Sequence, residues 1–418
     1  RKVLPYVRII LALTEKYSAL VMNPPYMGSG NMNATLSDYV KKHYKEGKAD
    51  LMTVFMQISK QRILPNGKMG MINLPSWLFL STFESLRRDV LENMHIDSLL
   101  HMGRGIFGID WGSVAFVLSN GFSDTEGTYF RLHKRNFQHI YYYHIEQLFL
   151  IVNENHKFKF DFSIYRDEDV INNKVYDFKN SDSGLQIFFK ANQQKFEQIP
   201  GSPIGYWVSE KIFSGFAGNL ALSAVCKPTQ GLATADNARF LRYWSEVSIR
   251  RIGSGCKSSE EALASGRKWF SYNKGGGFRK WYGNQYYVVN WENDGEEIKS
   301  FKAAVIRNPT YYFKPSISWS LTTSAGIGFR YNPEAAIFDV NGMSLFPNEG
   351  IDFFLLLGSL NTKYNVQFAN LINPTLALQC GDVAKLPYLI NDSFKQQDKT
   401  CIQFLVKSNY LLSRQDWD

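Results

Sequence analysis

The feature that most constrains the fold of this chain is a regular alternation of short apolar runs and amphipathic segments near its start. Apolar runs of strand length occupy residues 16–22, 68–74, 96–101 and 114–118. Apolar residues recur at helical spacing in residues 50–64, and a second helical stripe follows a helix-start signal at Ser81. Strands that alternate with helices in this way predict an α/β layer with a parallel sheet.

The pattern changes after residue 120, and 418 residues exceed the roughly 250–300 that a single core usually serves. Residues 121–201 are polar and aromatic without clear periodicity, which indicates a connecting region. Short strands and Gly/Asn/Pro turns dominate residues 202–390, which predicts an α+β domain that includes a helix at Phe353–Leu360. Residues 391–418 are expected to be a C-terminal helical segment, with a helix at Thr400–Arg414.

Several classes of protein are disfavoured by the sequence. No stretch approaches the roughly 18 uninterrupted apolar residues of a membrane span, and the first residues carry charges rather than a secretion signal. The four cysteines show no CxxC spacing, which argues against a zinc site and against a disulfide scaffold. We therefore expect a cytoplasmic protein without a metal site and without association with a membrane.

The net charge of +9 is concentrated in one part of the chain. Residues 226–330 contain 16 Lys and Arg against 8 Asp and Glu, and they contain no histidine. Nine of the 23 residues from Trp269 to Trp291 are aromatic, interleaved with basic residues and with three consecutive glycines. This composition suits contacts with phosphates and bases, although a solvated basic face and a strand-rich core would also show it. We interpret the segment as a binding surface.

The tetrapeptide Asn23-Pro24-Pro25-Tyr26 follows the first predicted strand. Each proline fixes φ and restricts the residue before it, so the tetrapeptide is a stiff loop at the carboxyl end of a strand. Ligands of open α/β sheets bind at that edge. The Asn23 side chain and the Pro24 carbonyl can together accept two hydrogen bonds from one amino group, and Tyr26 offers a flat face. The loop therefore suits an aromatic amine, and a simple Asn-initiated turn is the alternative.

These residues resemble a known family. The pattern (Asp/Asn/Ser)-Pro-Pro-(Tyr/Phe/Trp) is the fourth motif of the amino DNA methyltransferases, and its setting here is similar to the adenine-N6 branch. The succession of that branch continues through residues 49–55, 64–72, 74–78, 83–88 and 112–117. The PglX methyltransferases of BREX phage-defence systems are similar in residues 227–234, 236–240, 272–276, 279–283 and 373–375. The resemblance covers nearly the whole chain, from the Asn-Pro-Pro-Tyr motif to the C-terminus.

The resemblance implies a site-specific DNA methyltransferase that moves a methyl group from S-adenosylmethionine to N6 of adenine, in phage defence and self-marking. It implies that Asn23 and Pro24 hold the amine, that Pro25 stiffens the loop and that Tyr26 stacks on the base. The adenine would have to be flipped out of the duplex. Phe107 is the candidate for its other face, with a role as a core phenylalanine as the alternative.

One family element is not found in the sequence. In the family a Gly-rich turn that cradles the cofactor precedes the Asn-Pro-Pro-Tyr motif, and residues 1–22 contain no such turn. We therefore expect residues 1–120 to be the C-terminal half of a catalytic domain, with a partial Rossmann-like sheet. Gly28-Ser29-Gly30 is interpreted as a mobile loop over the substrate. The S-adenosylmethionine site would lie mostly in a missing N-terminal part, and this chain alone would be inactive.

Residues 202–390 are predicted to be the target-recognition domain, which binds double-stranded DNA. The predicted DNA contacts are Arg239, Arg242, Lys268, Lys274, Arg279 and Lys280, which lie among glycines and aromatic residues. Other BREX components are the further partners that the resemblance implies. A non-catalytic DNA-binding or assembly module that keeps the methyltransferase shape is the alternative function. Methylation of RNA or protein through the same tetrapeptide is a third.

Overall fold

The computed structural model describes residues 3–103, 112–132, 142–161, 184–323, 325–334, 336–375, 377–391 and 393–417. The chain divides into two compact units, Arg1–Phe213 and Ser214–Asp418, which we call the first and second units. Within the described ranges, no helix is both long enough and apolar enough to cross a lipid bilayer.

The first unit contains most of the predicted alternation of strands and helices. Its α-helices are α1 (Leu4–Thr14), α2 (Ala34–His43), α3 (Leu51–Arg62), α4 (Glu84–Asn93) and α5 (Tyr142–Glu154). Its strands are β1 (Tyr17–Met22), β2 (Ile63–Asn73), β3 (Met94–Gly103), β4 (Ser113–Asn120), β5 (Glu126–Arg131), β6 (Lys159–Phe160), β7 (Leu185–Gln186) and β8 (Phe188–Asn192). Short 3₁₀ helices lie at Ser29–Asn31, Pro75–Leu78, Ser81–Phe83 and Gln193–Gln198.

Six strands form one sheet in the order β1-β2-β4-β3-β5-β8. β1 is parallel to β2 and β3 is parallel to β5, but β4 is antiparallel to both of its neighbours and β8 is antiparallel to β5. The expectation of a parallel sheet was therefore wrong, because the sheet is mixed. The reason is the connection between β3 and β4, which is shorter than the dozen or more residues that a parallel crossover needs.

One face of this sheet is buried by helices, as its apolar pattern requires. α3 packs on β1 and β2, and α4 packs on β3. The helices contribute buried side chains such as Val54 and Val90, and β2 contributes the buried Met69 and Met71. On the first strand, by contrast, Val21 is 83% exposed, and α1 buries none of its residues. The sheet is therefore covered more fully on one face than on the other near β1.

Arg87 holds a loop of the first unit in place. Its guanidinium is fully buried and donates hydrogen bonds of 2.6–3.1 Å to the carbonyls of Trp77, Leu80, Gly201 and Ser202. Burial lowers the pKa of Arg87 to about 10. The Ile204 amide also donates to the Leu78 carbonyl, at 2.9 Å. Residues 201–204, where the recognition domain was predicted to begin, are thus bonded into the first unit.

The second unit is built from short strands, as expected from its turn-rich sequence. Its strands are β9 (Cys226–Thr229), β10 (Leu241–Tyr243), β11 (Trp269–Asn273), β12 (Tyr287–Asn290), β13 (Ser316–Ser318), β14 (Arg330–Asn332), β15 (Ile337–Phe338) and β16 (Ser344–Pro347). They form two sheets, in the orders β10-β12-β11-β15 and β14-β13-β16-β9. A core cluster that includes Phe270, Trp291, Phe313 and Phe338 buries much of the aromatic content. The aromatic residues of 269–291 therefore contribute to a core as well as to a surface.

Helices complete the second unit. They lie at Glu210–Ala217 (across the boundary of the two units), Leu222–Val225, Asn237–Phe240, Ser259–Ala264, Glu292–Ser300, Phe353–Leu360, Lys363–Ile372, Cys380–Lys385 and Gln396–Trp417. Short 3₁₀ helices lie at Trp244–Glu246, Ile249–Arg251 and Pro309–Tyr311. The predicted helix Phe353–Leu360 has its predicted bounds, and the C-terminal helix is longer than predicted. The fold class is therefore confirmed as α/β followed by α+β with a C-terminal helix.

Candidate functional site

The Asn23-Pro24-Pro25-Tyr26 loop leaves the sheet at the carboxyl end of β1. β1 is held in parallel register on β2 as far as the pair Met22 and Met71. Asn23 follows immediately and is exposed, whereas Pro24 is buried and anchors the loop. The predicted geometry of an exposed Asn side chain on a proline-stiffened turn is therefore present at this edge.

The Tyr26 hydroxyl connects this loop to the end of β2. Its oxygen lies 2.8 Å from the carbonyl oxygen of Ile72 and 3.0 Å from Oδ1 of Asn23. A tyrosine hydroxyl has one proton, so it donates to one of these acceptors at a time. Partial burial, followed by the nearby Asp50 carboxylate, raises the pKa of Tyr26, which keeps this donor protonated. The hydroxyl thus restrains both the ring and the Asn23 side chain.

Asp50 fixes the residues that follow the tetrapeptide, and our sequence analysis did not identify it as a site residue. Its Oδ1 accepts hydrogen bonds from the Met27 amide at 3.1 Å and from the Met52 amide at 3.0 Å, the latter as the N-cap of α3. The Leu51 amide donates back to the Met27 carbonyl at 3.0 Å. An Asp before an apolar helical stripe predicts a cap. Its second contact with Met27 is non-local and left no signal in the sequence.

The segment interpreted as a mobile loop contains a short 3₁₀ helix at Ser29–Asn31. The Ser29 amide donates to the Ala49 carbonyl at 2.8 Å, and Gly28 forms an isolated β-bridge with Asp50. The turn after Tyr26 is therefore bonded to the start of α3. Whether it moves over a substrate stays a prediction.

An open apolar groove of about 560 Å³ begins at Asn23 and runs across the exposed sheet face. Its lining includes Val21, Ile72, Leu100 and Phe130, and Asn23 and Ser98 supply its polar side chains. An adenosyl group and an amino acid need several well-placed hydrogen-bond partners. The groove therefore does not fit S-adenosylmethionine as a complete binding site, although Asn23 lies at its end.

The second predicted stacking residue, Phe107, lies outside the described residues. The strands that precede and follow Phe107 in the sequence, β3 and β4, are described. Val114 of β4 pairs with His101 of β3 on one side and with Asn73 of β2 on the other. β3 therefore ends, and β4 begins, at the same sheet edge from which Asn23 projects.

All six basic residues that were predicted to contact DNA have intramolecular partners. Four form ion pairs: Arg239 with Glu297 at 2.8 Å, Lys268 with Glu292 at 3.2 Å, Lys274 with Asp339 at 3.4 Å and Arg279 with Asp416 at 3.0 Å. The Asp339 side chain is only 3% exposed, so Lys274 serves as the counter-ion of a buried carboxylate. The other three carboxylates are exposed, and such pairs contribute only about 0–1 kcal/mol and can be exchanged.

The remaining two of the six bond to backbone carbonyls. Arg242 donates to Ala238 and Leu241, each at 2.6 Å. Lys280 donates to the Asn361 carbonyl at 3.1 Å, and burial, followed by the charge of Lys363, lowers the pKa of Lys280. Hence Arg239, Lys268 and Arg279 are the members of the set whose charge is the most readily redirected to a ligand.

Comparison with known proteins agrees with the motif. The family model described as Eco57I restriction-modification methylase matches residues 5–107. The adenine-specific methyltransferase BrxX of Escherichia coli O9:H4 (strain HS) is 32% identical over 425 residues, which cover 100% of this chain and 31% of BrxX. The adenine-specific methyltransferase PglX of Lacticaseibacillus casei (strain Zhang) is 33% identical over 428 residues, which cover 99% and 32% of the two chains. The chain thus spans about a third of the length of these relatives.

A solved structure supports the fold. The type IIL restriction-modification enzyme MmeI, in complex with DNA, superposes with a TM-score of 0.54 at 13% identity, over 96% of this chain and 50% of that one. At this identity the likeness shows the arrangement of elements and not their chemistry. The resemblance drawn from the motifs is therefore confirmed: along its whole length this chain is similar to adenine-specific methyltransferases of the BrxX and PglX type, and its first part matches the Eco57I methylase family.

Proposed function

We propose that this chain carries the amine-binding loop and the DNA-binding domain of a site-specific DNA adenine-N6 methyltransferase. The observation that carries the proposal is the exposed Asn23, held at the carboxyl edge of the sheet by the buried Pro24 and by the Tyr26 hydroxyl. Both relatives are named adenine-specific methyltransferases, which supports adenine as the proposed target base.

In the proposed reaction the loop acts through hydrogen bonds. Asn23 Oδ1 and the Pro24 carbonyl oxygen each accept a hydrogen bond from the N6 amino group of the adenine. These hydrogen bonds would draw the nitrogen lone pair out of conjugation with the ring. The lone pair could then form the carbon–nitrogen bond while the carbon–sulfur bond of the methyl donor breaks, and the nitrogen would afterwards lose one proton to solvent. No side chain with a tuned pKa is needed, because the proton leaves after the new bond has formed. S-adenosylmethionine supplies the electrophilic methyl group when it is bound.

Duplex DNA hides the N6 group, so we propose that the target adenine is flipped out of the stack. Tyr26, 36% exposed and tethered through its hydroxyl, is the proposed stacking partner on one face of the base. Phe107 is the proposed partner on the other face. This role is supported by the position of Phe107 in the sequence, between β3 and β4, since β3 ends and β4 begins at the sheet edge that carries Asn23.

Replacement of Tyr26 by Phe tests the role of the hydroxyl. We expect Tyr26→Phe to keep base stacking but to lower kcat by about fivefold to tenfold, since one net hydrogen bond contributes about 1 kcal/mol. Tyr26→Ala loses the ring as well, and base–aromatic stacking contributes about 1–3 kcal/mol. Single-turnover methylation of duplex DNA by the full-length protein measures both. Equal rates for Tyr26→Phe and Tyr26→Ala would show that the ring contributes nothing.

We propose that the described residues hold little of the cofactor, and that this chain alone is inactive. The groove beside Asn23 has few polar groups, and α1 exposes apolar side chains such as Val7 and Ile10. Exposed apolar surface of this kind marks an interface. We propose that the cofactor-binding part of the complete methyltransferase covers this apolar surface. The proposal agrees with the comparison of lengths, since this chain spans about a third of each relative.

This proposal predicts that the isolated chain binds S-adenosylmethionine too weakly for calorimetry to detect at micromolar concentrations. The physical reason is that the groove offers mainly apolar carbon to a charged, hydrogen-bonding ligand. The full-length protein is the positive control. Micromolar affinity of the isolated chain would contradict the proposal and would place the cofactor site within these residues.

We further propose that residues 202–390 read the DNA target, and that the protein serves BREX-type phage defence and self-marking in the cytoplasm, together with other BREX components. The basic excess of residues 226–330 supports DNA as the partner.

A non-catalytic DNA-binding or assembly module is the second candidate, and the intact Asn23–Tyr26 loop favours the enzyme. Mass spectrometry of nucleosides from duplex DNA treated with the full-length protein decides between them. N6-methyldeoxyadenosine supports the enzyme, and its absence from a protein that binds DNA supports the module.

A further inference from the structure

The 3₁₀ turn Ile249–Arg251, which we call the basic tip, projects three consecutive side chains from the second unit. Ile249 is 74% exposed, and Arg250 and Arg251 are also exposed. Within the part of the chain that the structure describes, neither guanidinium has an ion-pair or hydrogen-bond partner. The tip therefore differs from the six basic residues predicted from the sequence, whose charges or donors are already engaged within the fold.

The backbone at the C-terminal end of the basic tip is bonded to Lys268 and to the first residue of β11. The Gly253 amide donates to the Trp269 carbonyl at 2.8 Å, and the Lys268 amide donates to the Arg251 carbonyl at 3.2 Å. Ile252 forms a parallel bridge with Trp269. A Cβ on Gly253 would lie 2.2 Å from Cε1 of Phe270, so the chain passes directly over the core at this point. The tip is thus an anchored projection with exposed side chains.

Exposed aromatic side chains precede the basic tip along the chain. Tyr243 is 47% exposed and Trp244 is 53% exposed. Tyr243 stacks on Tyr287 with ring centroids 4.9 Å apart, and the Trp244 amide donates to the Tyr286 carbonyl at 2.9 Å, which fixes both residues on the edge of the sheet. The Glu246 carboxylate in between accepts from the Tyr243 amide at 2.8 Å and so acts as a local cap.

We propose that the basic tip is a DNA-contacting element of the recognition domain, an inference that rests on the proposed function. Arg250 and Arg251 contact phosphates of duplex DNA, and Ile249 contacts sugars or base edges in a groove. Proteins that enter DNA grooves combine arginines with an apolar residue presented on a firm support. Successive side chains on a 3₁₀ turn point about 120° apart, so the two arginines and Ile249 are offered to different parts of the duplex.

The salt dependence of DNA binding by the full-length protein tests this inference. Each phosphate contact contributes about 0.9 to the slope of log affinity against log salt. We expect the double variant Arg250→Ala/Arg251→Ala to lower that slope by about two, and Arg250→Lys/Arg251→Lys to restore most of it, because lysine also neutralises a phosphate. Ile249→Ala should weaken binding without changing the slope, because it removes no charge.

The matched control removes the same charge elsewhere in the second unit. Lys395 immediately precedes the helix Gln396–Trp417 and Lys407 lies within it, and both are exposed. Lys395→Ala/Lys407→Ala should leave the slope unchanged. A slope that the arginine variant leaves unchanged, or that both double variants lower equally, would overturn the basic tip as a contact. If the unsubstituted protein binds no duplex DNA, the proposed function itself fails and the inference fails with it. A thermal unfolding curve equal to that of the parent shows that each variant is folded.

Discussion

In the full-length protein, Asn23→Ala should lower the formation of N6-methyladenine by at least about 100-fold, the usual cost of removing one preorganised hydrogen-bonding group from an active site. The side chain is exposed at the sheet edge, and its Oδ1 lies 3.0 Å from the Tyr26 hydroxyl. Its loss removes one of the two proposed acceptors for N6, while the Pro24 carbonyl remains. Affinity for duplex DNA should stay nearly unchanged, because phosphate contacts dominate it.

A conservative and a remote variant control for this result. Asn23→Asp keeps an acceptor oxygen at the same position and should retain more activity than Asn23→Ala. Asn93 is an exposed asparagine at the end of α4, next to the start of β3 and thus at the opposite end of the strands from Asn23. The Asn93→Ala variant should methylate at the parental rate. Methylation is measured by mass spectrometry of nucleosides, and binding by fluorescence anisotropy. Undiminished methylation by Asn23→Ala would remove this residue from the catalytic site.

The second large effect concerns sequence specificity. If residues 214–418 are replaced by the corresponding residues of a relative that methylates another motif, the methylated motif should follow the transplanted unit. The cut after Phe213 follows the boundary between the two units, and it keeps residues 201–204 in the same chain segment as Arg87 and Leu78, to which they are bonded. Each mismatched base pair costs about 1–3 kcal/mol, so two or more differences should suppress the recipient's motif about 100-fold or more.

Sequencing of methylated sites across the genome reads the outcome of this exchange. A chimera that exchanges only residues 391–418 is the control and should keep the recipient's motif, because these residues lie outside the predicted recognition domain. An active chimera of residues 214–418 that also keeps the recipient's motif would show that specificity is encoded in the first unit.

Much of the first unit could be predicted because its information is local. The spacing of apolar residues located β1, α3, α4 and the strands β3 and β4 to within a few residues. Strand direction could not be predicted in the same way, because a buried strand has the same apolar sequence pattern whether it is parallel or antiparallel to its neighbours. The apolar run at residues 68–74 likewise located only the later part of β2, which begins at Ile63 and includes Pro65-Asn66-Gly67, where the pairing with β1 shifts register.

The partners of side chains were the part that the sequence could not provide. Arg279 pairs with Asp416, and Lys274 with Asp339, across separations that no local pattern records. Sequence reasoning therefore favoured basic residues with glycine and aromatic neighbours, and it passed over Arg250 and Arg251, whose exposure becomes visible only in the folded chain. The Asn23 loop could be predicted because prolines and a preceding strand restrict it locally.

The most direct test of the proposed site is one distance in a structure of the full-length protein with duplex DNA and an unreactive analogue of S-adenosylmethionine. We expect the target adenine outside the stack, with its N6 within about 3.2 Å of both Asn23 Oδ1 and the Pro24 carbonyl oxygen, the limit for a hydrogen bond of this type. A flipped adenine whose N6 bonds to other groups, or a flipped cytosine in its place, would contradict the assignment of this loop as the seat of the adenine amine.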